Sequence, residues 1–128
     1  MAYYNSKLIN GSFDGAIAKV TEELKREGFG VLTEIDVQET LKKKLDIDFR
    51  RYKILGACNP PNAYKALSIE ENIGVLLPCN VIVQEKENGK IQISTVNPME
   101  SMQAVNNPAL AEVANEVSSK LLKVLNNL

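Results

Sequence analysis

The chain contains no histidine and no tryptophan. Without an imidazole, Ser-His-Asp and Cys-His mechanisms are excluded, as are a histidine general base and every metal site that needs a histidine ligand. Aromatic side chains are scarce, with four Tyr and three Phe, so a stacking platform for single-stranded nucleic acid is poorly supported. An excess of one charge is missing too. Fifteen Lys and Arg face sixteen Asp and Glu, for a formal net charge of −1. That balance argues against a nucleic-acid surface, which shows as a concentrated basic excess. The single basic run, Lys42-Lys43-Lys44, is flanked by Glu39, Asp46 and Asp48 and reads as a solvated helix face.

No apolar run approaches the ~20 residues of a membrane span. The opening "MAYYNSKLIN" lacks an apolar signal core, so a cytosolic location is the expectation. Neither a Walker phosphate loop nor a Rossmann glycine fingerprint is present. Asp36, Asp46, Asp48 and the Glu70-Glu71 pair fall at helix caps or polar turns, where they do not form the converging carboxylates of glycoside hydrolysis.

What is present fits one domain spanning residues 1–128, with 45% hydrophobic and 24% charged residues. Tyr3 to Ile9 is a strand candidate. Ser12 caps a helix whose stripe is Phe13, Ala16, Ile17, Val20 and Leu24, and Gly28 ends it. Phe29, Val31, Thr33, Ile35 and Val37 alternate with Gly30, Leu32, Glu34 and Asp36, which predicts a second strand with these five on one face. Asp36 and Glu39 fit a capping box for a short helix. Tyr52, Ile54, Gly56 and Cys58 share one face of a third strand. Asn59 then caps a helix that begins at Pro60, where a missing N–H costs nothing.

"GVLLPCNVIVQEKENGKIQISTV" predicts a hairpin. A three-residue turn, Glu87-Asn88-Gly89, opposes Val83 to Ile93 and Gln84 to Gln92, which segregates apolar from polar. Pro78 falls inside the fourth strand on this reading, which calls for a bulge or a strand edge there. Asn97-Pro98 and Asn107-Pro108 open two further helices. The fold class is therefore α+β: a mostly antiparallel five-stranded sheet in the order β-α-β4-α, with helices packed on one face. Because two main helices cover one face only, a homodimer burying the other face, with Leu76 and Ile82 on it, is expected.

"GACNPP" at residues 56–61 and "LLPCNV" at residues 76–81 are the distinctive phrases. With them, nearly the whole chain resembles the DUF302 family, a domain of unknown function. The resemblance implies a β-α-β4-α fold like that of the TATA-binding protein and a small homodimer. It implies no activity, substrate or cofactor.

The two Cys-Asn phrases suggest two walls of one site, with Cys58 and Cys79 on neighbouring strands and on the same side of the sheet. Free cysteine often serves only as a small buried hydrophobe. As a functional pair, the thiols could carry sulfur or exchange disulfides, with Cys58 activated by the following helix N-terminus. A tetrahedral metal site would be half made unless a dimer brought four sulfurs together. Asn59, Tyr64, Lys65 and Asn80 are the polar candidates for a small-ligand pocket, although Pro60 and Pro61 remove two amides that an anion would need. The two asparagines also have a plainer use as caps and turn residues. Three functional readings follow: a small-ligand module, a thiol enzyme using Cys58 and Cys79, and a protein-interaction module.

Overall fold

The computed structural model describes residues 2–128. Five strands form: β1 (Tyr4–Ile9), β2 (Gly30–Asp36), β3 (Tyr52–Cys58), β4 (Cys79–Glu85) and β5 (Ile91–Val96). They join one sheet in the order β1-β5-β4-β3-β2, every pairing antiparallel. Strands β2 to β5 form a meander, and helix α1 (Phe13–Arg26) carries the chain from one sheet edge to the other.

Strand alternation decides which face the helices cover. Leu55 and Ala57 of β3, Val81 and Val83 of β4, and Ile91 and Ile93 of β5 are all fully buried on it. Above them α1 buries Phe13, Ala16, Val20 and Leu24. Its start is fixed by Ser12, whose hydroxyl accepts from the Gly15 amide, and Gly28 leaves it at φ +83°. Helix α5 (Ala111–Asn126) lies beside it with Val113, Val117, Leu121 and Val124 buried. Helix α3 (Pro60–Ile69) completes the layer against α5. A short α4 (Pro98–Ser101) precedes α5, and α2 (Val37–Leu45) buries none of its residues. The α+β class with helices over one face is thus observed.

The hairpin adopts the register that separates apolar from polar pairs, Val83 opposite Ile93 and Gln84 opposite Gln92. Lys86 and Lys90 close the loop with a 2.8 Å backbone hydrogen bond, and Gly89 takes φ +80°. A β-branched or bulky residue is strained there.

Two segments depart from the strand pattern. In β2 the register slips between Val31, opposite Ala57, and Thr33, opposite Gly56. Leu32 is the extra residue of a bulge, so the five residues from Phe29 to Val37 do not share a face. Phe29 is buried under the helices, whereas Ile35, opposite Ile54, lies half exposed on the open side. In the second segment, β4 does not contain Pro78 but starts after it. Glu71–Leu76 form a 3-10 helix, and the chain enters β4 through a cis Leu77–Pro78 bond. Leu76 therefore sits on a helical turn; Ile82, opposite Ile54 and Ser94, stays on the open side of the sheet.

The bulge depends on Gly56. A Cβ at this position would collide with the Thr33 hydroxyl and approach Pro78 Cγ to 2.8 Å. The proline ring cannot rotate away, so added bulk must move backbone. Gly56→Ala should destabilise the protein by about 1–3 kcal/mol, read as a lower denaturation midpoint at unchanged m-value. An unaltered midpoint would show that β2 can shift freely over β3.

Candidate functional site

Where β2, β3 and β4 end beneath α3 and α5, small side chains on facing walls leave space. Ala57 on β3, Ala63 and Ala66 on α3, and Gly74 on the 3-10 turn border a cavity of about 340 Å³. Larger apolar groups complete it: Phe29, Leu77, Met102, Val113 and Val117. The exposed Leu32, from the bulge, and Leu67, from α3, stand at its mouth. The polar groups along the wall are Thr33, Asn59, Asn62 and the two thiols; no charged side chain lines it.

Both cysteines border this cavity. The sheet register pairs Cys79 with Ala57, one residue short of Cys58, which lies opposite Gly30. The two side chains thus leave their strands on opposite phases of the pleat rather than on one side. They share the cavity because β3 ends at Cys58 and the space wraps around the strand ends. Burial pushes the Cys79 thiol up to about 11, and the neighbouring Cys58 adds to the effect. That is the direction of an inert thiol, since a reactive one is held low by cations or helix amides.

The amides beyond Cys58 are already committed. Pro60 and Pro61 have none to offer. The Asn62 amide donates to Asn59 Oδ1 at 3.3 Å, and the Ala63 amide to the Asn59 carbonyl at 2.9 Å. Neither a thiolate nor an anion finds a free donor in this first turn.

Asn59 itself is buried and acts as the cap. Its Nδ2 donates to the Glu27 carbonyl at 3.3 Å, which fixes the orientation of its amide. Its Oδ1 then accepts a second bond from Asn62 Nδ2 at 3.2 Å. Asn62 is 4% exposed, and among the described residues its Oδ1 finds no hydrogen-bond partner.

The other polar candidates lie elsewhere. Tyr64 is 75% exposed on α3, and neither it nor the exposed Lys65 borders the cavity. Asn80 lines a groove on the open side of the sheet with Tyr4, Tyr52, Ile82, Gln84, Gln92 and Ser94. There Arg50 stacks on Phe49 and Tyr52 and donates to Gln84 Oε1 at 3.0 Å. Of the six residues singled out in the sequence, then, Cys58, Cys79 and Asn59 come together, while Tyr64, Lys65 and Asn80 do not join them. Sequence reasoning passed over Asn62. Its signal was available: it stands three residues after the cap, the position whose side chain reaches back in a capping box. Among the described residues, no three of Cys, Asp and Glu gather as a metal site, and no helix is long and apolar enough to cross a membrane.

No curated protein matches the chain. Among solved structures, it is similar to an uncharacterized conserved protein from Bacillus stearothermophilus, described as DUF302, at 31% identity and a TM-score of 0.92, over 98% of each chain. The family model described as "Domain of unknown function DUF302" matches residues 5–128. Those residues include the bulge, both Cys-Asn phrases and every wall of the cavity, and the chain belongs to the DUF302 family.

Proposed function

We propose that the domain binds a small, mainly apolar molecule in the cavity beside Cys58 and Cys79. One observation carries this reading: a retained apolar space of about 340 Å³, within the range of small-molecule pockets. Its uncharged wall favours a neutral occupant, since a charged one would be desolvated without a partner. Toluene is the simplest probe of that shape. Titration into labelled protein should give saturable NMR shifts of the Leu77, Val113 and Val117 methyls. Ala63→Leu, at a half-buried wall position, should abolish them. Shifts that never saturate, or that ignore the substitution, would exclude the cavity as a binding site.

The thiol-enzyme reading has less behind it. It would need an activated sulfur, a base or a cation, and the wall offers none of these. The raised Cys79 pKa has two measurable consequences. Alkylation of Cys79 in folded protein should be slow at pH 7 and keep rising toward pH 11 rather than levelling near 9. Because the folded state holds this proton more tightly than the unfolded chain, stability should be constant below about pH 9. It should then fall as pH rises toward about 11. Fast stoichiometric alkylation at pH 7 would favour the enzyme instead.

We further propose that the protein works in the cytosol, where free thiols persist, and as a homodimer through the open side of the sheet. Ile54, Ile82 and Val96 are only half buried there, and Leu8 and Ile35 are exposed. Among them Gln84 and Gln92 pair by their amides at 3.4 Å. Amides both donate and accept, so two identical faces can complement each other across a two-fold axis. Sedimentation equilibrium at micromolar concentration should then give twice 14.1 kDa; a 14.1 kDa species would rule the dimer out.

A further inference from the structure

The apolar lining of the cavity does not stop where the protein interior stops. Phe29, Ala57, Ala66, Val113 and Val117, all buried, form its inner part. Leu32 and Leu67 border the same space yet are 68% and 43% exposed. A large apolar side chain standing singly in water is ordinary, but these two meet at one opening. Each is held there by its element. Leu32 is the extra residue of the β2 bulge, which Gly56 permits. Leu67 continues the α3 stripe of Ala63 and Ala66, so the helix face that lines the interior runs on to the mouth. Gly74 also borders the cavity, and the next residue, Val75, is 86% exposed.

An apolar path without a charged side chain thus leads from the buried walls to solvent. A compact occupant held wholly inside would leave both leucines wet. A chain that fills the inside and emerges over them removes their surface from water as well, which is favourable in proportion to the area covered. A charged or strongly polar end finds no ionic partner on the wall, so it remains at the solvated end.

We infer that the occupant carries an alkyl chain longer than the cavity, which enters tail first and runs out over Leu32 and Leu67 with its polar group in water. This rests on the cavity being a binding site, as proposed above, and adds the class of molecule that it takes.

Linear alcohols from butanol to decanol, followed through the Leu77, Val113 and Val117 methyls in NMR titrations, test the inference. Affinity should rise roughly fourfold per methylene while the chain is enclosed, the worth of one buried methylene. Beyond the mouth, with one side of the chain still in water, the gain should be roughly twofold per methylene. Leu32→Ser should leave butanol binding unchanged and remove part of the gain made by the longest chains, so that decanol binds several-fold more weakly than to the wild type. Leu67→Ser gives the same reading from α3 should the β2 variant not fold.

If neither toluene nor any alcohol binds, the cavity reading falls and this inference with it. If toluene binds but alcohol affinity stops rising before decanol, or if both serine variants bind decanol as the wild type does, the cavity stands and the emerging chain alone is overturned. Leucines that instead hold a second copy of the protein would give serine variants of reduced sedimentation mass and unchanged alcohol affinity, which overturns the inference as well.

Discussion

Asn59 holds three parts of the chain together with one buried amide. Through Nδ2 it reaches the Glu27 carbonyl at the end of α1; through Oδ1 it caps α3 and grips Asn62. Gly28 makes room for it, since a Cβ there would lie 3.2 Å from Asn59 Nδ2 and the backbone already stands at φ +83°. The α1 terminus, the start of β2 and the β3-to-α3 turn are thereby set relative to one another. The cavity lies just below this junction, bounded by β2 on one side and α3 on another. Weakening the amide would loosen two of its walls at once.

The fold was legible because its signals are local. Ser12 before an apolar stripe, Asn before Pro at residues 59, 97 and 107, and Gly89 within the hairpin turn each satisfy nearby backbone groups, and each acts as a cap or turn where it stands. The β2 bulge was harder to read. Val31, Leu32 and Ile35 are apolar on both phases, so alternation alone cannot tell where a residue has been inserted. The better clue was on the neighbouring strand. A glycine within a strand signals a bulge or a close backbone approach, and Gly56 has both beside it. Pro78 misled for the opposite reason. Its apolar neighbours Val75, Leu76 and Leu77 imitate a strand, yet they belong to a 3-10 turn and its exit.

Only half of the site could be read from the chain. "GACNPP" and "LLPCNV" bring Cys58, Asn59 and Cys79 to one place because β3 and β4 are neighbours. The remaining walls come from α5, from Met102 and from the bulge, segments whose mutual approach no local pattern encodes. Proximity in sequence was also misleading for Asn80. Next to Cys79 in the chain, it points to the other side of the sheet because adjacent strand residues alternate.

A void among apolar walls needs a physical reason, because protein interiors otherwise pack as densely as organic crystals. The small residues here are not forced by backbone strain: Gly74 has no positive φ, and a Cβ there would meet nothing within 4 Å. Larger side chains at Ala63, Ala66 or Gly74 could occupy part of the space, and filling apolar space is a common route to added stability. Stability alone would select against such an unfilled space. An apolar space of this size is what a small-molecule pocket requires, and the uncharged wall beside Cys79 offers no cation to activate its thiol.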